Sequence, residues 1–195
     1  MNGRRIKGIL LLATLAVSGV ALLTWTQTWF SLTLVQNSHA GTAVAVPGEA
    51  AGPAVAALGL AGLALGGALA IAGRVLRVIF GVLEVLIGGC LVLSAVLAVS
   101  DPAGASSKTI TEFTGVAGNS AAHDLVSQSS ATVWPFIAIV AGVVLALLGI
   151  AVAATGRLWP TSGRKFDAPS TAQPSETHDA VDSWDELSRG EDPTQ

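Results

Sequence analysis

The sequence predicts an all-α fold: a four-helix transmembrane bundle over residues 1–160, followed by a largely disordered acidic C-terminal tail over 161–195. Three observations carry this. Apolar residues fall into four runs, each near the length that crosses a bilayer; lysine and arginine crowd the flanks on one side of those runs; and carboxylates gather after the last of them. Of the 195 residues 51% are hydrophobic and 12% are charged, about half the charged share of an ordinary soluble domain. Most of the chain is therefore spent in lipid.

Crossing about 30 Å of hydrocarbon at 1.5 Å per residue takes about 20 apolar residues. The runs 8–25, 55–73, 78–99 and 133–155 meet or approach that length. Leu, Ala and Val follow one another without the alternation of a barrel strand, so helix is the spanning form that satisfies every backbone polar group internally. The first run, preceded by Arg4, Arg5 and Lys7, also has the outline of a secretory signal, with Ser38-His39-Ala40 as a cleavage-like triplet. That triplet lies too far beyond the apolar core, which ends near Leu23, so a retained helix is expected.

Orientation follows from the bases in the short flanks. Arg4, Arg5 and Lys7 precede the first run, Arg74 and Arg77 are expected in the turn between the second and third, and Arg157, Arg164 and Lys165 follow the fourth. All lie on one side, against Lys108 alone on the other, which places both termini in the cytoplasm of a multi-pass plasma-membrane protein. Tryptophan prefers the membrane interface, and Trp25 and Trp29, four apart at the end of the first helix, are expected there as one aromatic face. Trp134 at the start of the fourth helix and Trp159 at its end are read as anchors in the same way.

Chemistry-bearing residues are sparse. The one cysteine, Cys90, allows no intrachain disulfide, and His39, His123 and His178 lie in separate segments without ligand spacing, so no metal or other cofactor is expected. The outer loops 31–53 and 100–132 hold Asp101, Lys108, Glu112, His123 and Asp124, but no nucleophile paired with a base, and no phosphate-cradling glycine loop occurs. An enzyme is not expected, nor a nucleic-acid partner.

Glu84 is the one ionisable residue well inside an apolar run. Such groups are costly in hydrocarbon and are functional candidates by default. Seven residues beyond Arg77, it lies about 10 Å into the membrane, level with Thr14, Gly66, Gly67 and Gly149. Two readings follow: a proton or cation site, or a carboxyl that fastens helices by bonding Thr14 or pairing with Arg77. The second is favoured, because carriers usually show several intramembrane polar groups. Gly81 and Gly88 share its helical face, and small residues recur every four positions in the second helix at Gly62, Gly66, Ala64, Ala68 and Ala72. Both patterns permit close backbone approach, within the bundle or in a homo-oligomer. The pentapeptides at 72–76 and 155–159 give the halves a crude likeness, for which coincidence suffices in so Gly-, Ala- and Leu-rich a chain.

From Phe166 onward the tail carries eight carboxylates against one arginine, Arg189, and its Pro, Ser, Thr and Ala content builds no core. Within 182–194, Ser183 and Glu186 have capping-box spacing, Gly190 can close a short helix and Pro193 stops it. Such a helix puts Trp184 and Leu187 on one face beside Asp185 and Glu186, as a docking motif for a protein partner would.

Trp25 and Trp29, the Trp134-Pro135 and Trp159-Pro160 pairs, the Arg164-Lys165-Phe166-Asp167 run and the terminal motif together give a chain that resembles the actinobacterial tryptophan-biosynthesis-associated (Trp-operon-associated) membrane proteins. Phe166 stands where that pattern leads one to expect tyrosine. The resemblance implies a plasma-membrane protein encoded beside tryptophan-synthesis enzymes, with no catalytic residues to carry over. The expected function is a non-catalytic membrane accessory protein whose tail recruits a partner. The alternatives are a small carrier of tryptophan or a related aromatic metabolite, and a subunit of an envelope complex.

Overall fold

The computed structural model describes residues 3–36, 39–116 and 118–156. Met1–Pro160 form one compact unit, and a second, Thr161–Gln195, lies outside the described residues together with every feature read in the tail.

Among the described residues four helices are long and apolar enough to cross a membrane: α1 (Gly3–Thr26), α3 (Ala54–Ile71), α4 (Arg74–Ser100) and α8 (Trp134–Thr155). They pack as a ring in which α1 neighbours α3 and α8, and α4 neighbours α3 and α8. Thus α1 and α4 face each other across the centre. Leucine, valine and isoleucine cover the outside of the ring, among them Leu12, Leu60, Leu86 and Leu147, the all-round apolar character of helices that sit in lipid.

Two helix boundaries differ from the expectation. The first helix begins at Gly3, before the apolar run, because arginine and lysine are good helix formers and can continue a helix beyond lipid. Arg74 and Arg77 are not in a turn: the break between α3 and α4 is only Ala72 and Gly73, both extended, and Arg74 already opens α4. With Arg5 and Lys7 they define the basic end of the bundle.

The opposite end is not a pair of quiet loops. It carries a three-stranded antiparallel sheet in the order β2-β1-β3, built from β1 (Thr28–Gln36), β2 (His39–Pro47) and β3 (Val126–Ala131). In β1, Phe30, Leu32 and Leu34 are buried while Ser31 is exposed; in β2, Val44 and Val46 are buried while Ala43 and Ala45 are exposed. This period-2 alternation is the mark of a half-buried sheet. β3 is polar and exposed, and its serines help hold it: Ser127 and Ser130 donate to the Thr33 and Ser31 carbonyls.

Short helices complete the cap: α2 (Gly48–Ala51), α5 (Pro102–Ala105), α6 (Ser107–Thr114) and α7 (Asn119–Leu125). Asp101 caps α5 by accepting from the Gly104 N–H at 2.9 Å, and α6 stops at Gly115, whose φ of 71° is the left-handed conformation that glycine takes most easily. Ile110 of α6 and Ala122 of α7 join the buried sheet face and the adjoining turns of α1, α3, α4 and α8 in one apolar cluster. A second, smaller cluster lies at the basic end around Leu69 and Val152.

Candidate functional site

Hydrocarbon supplies no hydrophobic drive between helices, so close packing must hold them together. On α4 and α8 that packing is backbone against backbone. Gly81 and Gly88 of α4 meet Gly149 and Gly142 of antiparallel α8: a Cβ placed on Gly88 would lie 2.5 Å from the Gly142 carbonyl oxygen, and one on Gly149 would lie 2.6 Å from that of Gly81. The α1–α3 seam instead sets side chains into glycine gaps, with Leu22 over Gly59, Ser18 over Gly62 and Leu15 over Gly66. Gly62 and Gly66 thus serve packing within the bundle, while Ala64 is exposed.

These gaps create a polar layer between the two apolar clusters. Glu84 of α4 and Thr14 of α1 are fully buried, and the Thr14 hydroxyl lies 2.6 Å from Glu84 Oε1. The bond joins the two helices that face each other across the ring. Gly149 leaves room for Glu84 at this level, since a Cβ there would stand 3.0 Å from Glu84 Cβ, and Gly66 lies at the same level, where a Cβ would stand in ordinary contact 3.5 Å from Thr14 Cγ2. Counting depth along the sequence places Thr14, Gly66 and Gly149 beside Glu84, and the structure does so; Gly67 points away, into open space. One turn further along α1, Ser18 is also fully buried, against Gly62. Glu84 Oε2 and Ser18 Oγ have no hydrogen-bond partner among the described residues.

Arg77 takes a different part from the one considered for it. It makes no ion pair with Glu84. Its buried guanidinium donates to the Ala72 carbonyl at 2.9 Å and to the Gly156 carbonyl at 3.3 Å, while Lys7 donates to the Ala70 carbonyl at 2.7 Å. The last carbonyls of a helix lack internal donors and carry the negative end of its dipole, so these bases tie off the ends of α3 and α8. The sequence shows them only as flanking charge; the available signal is their position beside two helix C-termini.

A family model described as tryptophan-associated transmembrane protein matches residues 11–194. The chain belongs to this family. The match begins inside α1, takes in the polar layer and the cap, and continues to residue 194, well beyond α8. No curated protein and no solved structure matches the chain.

In this family member the aromatic face expected at Trp25 and Trp29 is absent, because α1 ends at Thr26 and Trp29 belongs to β1. Trp29 is fully buried, not an interfacial anchor. Its indole N–H donates to the Thr24 carbonyl at 2.7 Å, which also accepts from the Gln27 N–H at 3.2 Å where α1 stops. Gly48 and Gly52 leave room for the indole: a Cβ on Gly52 would lie 3.1 Å from the ring. Trp25 packs partly buried against the same cluster, and its N–H has no partner among the described residues. Trp134, half-buried, opens α8 with Pro135 in the first turn, where a missing N–H costs nothing. Trp159, Trp184, Asp185, Glu186 and Leu187 lie outside the described residues. Among the described residues no group of three or more potential ligands is placed to hold a metal. Asp101 and His123 come within 3.5 Å at the cap, both half exposed, where an ion pair contributes little.

Proposed function

We propose that this member of the tryptophan-associated transmembrane family is a non-catalytic accessory protein of the plasma membrane, linked to tryptophan biosynthesis and recruiting a protein partner through its C-terminal tail. The observation that carries the reading is the reach of the family match, which runs through the tail to residue 194. A tail serving only as solvated filler need not share a pattern with relatives. Its Trp184 and Leu187 stand among acids with helix-capping residues on either side, as in a segment that folds on a partner's groove. The bases at one end of the bundle support an orientation with that end, and both termini, in the cytoplasm, the compartment of biosynthetic enzymes. The test is affinity purification of the full chain and of a version cut after Asp167 from native membranes. The full chain is expected to retain a partner that the shortened one loses; identical sets would end the recruitment reading.

A second reading, a small carrier of tryptophan or a related aromatic metabolite, draws on Glu84 Oε2 and Ser18 Oγ in the bundle centre, which have no hydrogen-bond partner among the described residues. It expects a deletion strain to accumulate the metabolite inside the cell and release less of it. Unchanged pools on both sides of the membrane would count against it.

A further inference from the structure

Glu84 is the one carboxyl within the four spanning helices. A buried charge is costly unless it is paired or fully hydrogen-bonded. The charged and titratable groups on the helices around it do not supply the pairing. On α1 these are Arg4, Arg5 and Lys7, two turns or more towards the basic end; Arg5 is exposed and Lys7 is bonded to Ala70. α3 and α8 contain none. On α4, Arg74 and Cys90 are exposed, and Arg77 directs its guanidinium to the Ala72 and Gly156 carbonyls.

The hydrogen count around Thr14 points the same way. Its hydroxyl carries one proton and has two oxygens in reach, the Leu10 carbonyl at 3.0 Å and Glu84 Oε1 at 2.6 Å. With a proton on Glu84, the carboxyl donates to Thr14 and Thr14 donates to Leu10. Otherwise only one of the two contacts is a hydrogen bond. Among the described residues Glu84 Oε2 and Ser18 Oγ remain as buried polar oxygens without hydrogen-bond partners, about one helical turn apart in depth. Oxygen ligands suit a small, hard cation.

We propose that Glu84, with the hydroxyls of Thr14 and Ser18, forms a binding site for a small monocation, a proton or a sodium ion, at the centre of the bundle. The site stands apart from tail recruitment and does not depend on it. Bound there, the cation neutralises the carboxylate and lets the brace between α1 and α4 persist; its release leaves an uncompensated charge between them.

The test uses the full-length protein in lipid nanodiscs, with two readouts. Infrared spectroscopy looks for the C=O stretch of a protonated carboxylic acid, and thermal unfolding is followed as sodium replaces choline at constant ionic strength. If the ion is a proton, the wild type shows the band and Glu84→Gln loses it. If it is sodium, the band is missing, the wild-type unfolding temperature rises with sodium, and Glu84→Gln loses that rise. Should Glu84→Gln fail to insert, Thr14→Val serves instead: it shifts the band in the first case and weakens the sodium response in the second. A wild type with neither band nor sodium response overturns the proposal, as does a band that survives Glu84→Gln unchanged.

Discussion

Replacing Gly88 with leucine is expected to destroy the α4–α8 seam, while the same replacement at Gly89 is expected to leave the fold intact. The two glycines are adjacent and chemically identical; only their surroundings differ. A Cβ at Gly88 meets the backbone of α8, with Gly142 O at 2.5 Å and Ala146 N at 2.6 Å, whereas one at Gly89 meets nothing within 4 Å. Overpacking a core ordinarily costs about 1–3 kcal/mol, because side chains can shift aside. Backbone cannot give way so cheaply, so Gly88→Leu should exceed about 3 kcal/mol, a large part of the about 5–15 kcal/mol by which folds are ordinarily stable. At Gly89 leucine faces lipid, and exchanging a mid-helix glycine gains helix propensity of up to about 1 kcal/mol. Thermal unfolding of both variants in nanodiscs checks this. Equal behaviour would mean that α4 and α8 are not in backbone contact.

Trp29→Ala is expected to cost about 3–5 kcal/mol, the range for deleting a buried large aromatic side chain. The side chain is fully buried, stands edge-to-face with Phe30 at a centroid distance of 6.4 Å, and ties the end of α1 to β1 through its N–H. Trp29→Phe, which keeps most of the ring and loses that hydrogen bond, should cost about 1 kcal/mol more than the repacking itself. Trp134→Ala, at a half-buried helix start, should cost clearly less than Trp29→Ala. The contrast separates a core residue from an interfacial anchor: if Trp29→Ala and Trp134→Ala lower the unfolding temperature alike, Trp29 is not the keystone of the cap.

The polar layer is legible in the sequence because depth along a spanning helix is a matter of counting. With a fixed rise per residue and a basic flank as the zero, Thr14, Gly66, Glu84 and Gly149 fall at one level wherever the four helices stand. Which of Thr14 and Arg77 partners Glu84 is not a matter of counting. Arg77 is two turns away on the same helix, and the carbonyls of Ala72 and Gly156 come to it only when α3 and α8 end beside it. Trp29 is misplaced by its spacing for a related reason. A separation of four reads as one helical face, yet Phe30-Ser31-Leu32-Thr33-Leu34 and Ala43-Val44-Ala45-Val46 alternate with period two, and that local signal marks the change from helix to strand. β3 offers no such signal: Val126–Ala131 is polar along most of its length and becomes a strand by pairing with β1.

By itself the sequence determined what each segment must do to satisfy its own backbone and its own side chains. Long apolar runs have to be helices in lipid, bases gather at one end, and a lone buried acid has to find help. These are local requirements, set by the solvent and the chain within a few turns. The tertiary structure decided everything that needs two distant segments to meet: which glycines face backbone and which face lipid, that Glu84 reaches Thr14 across the ring, that Arg77 closes two other helices, and that a serine-rich stretch about a hundred residues on from Thr28 joins its strand. Pairwise encounters of this kind depend on how the helices pack and on where their turns place them, which no single segment encodes.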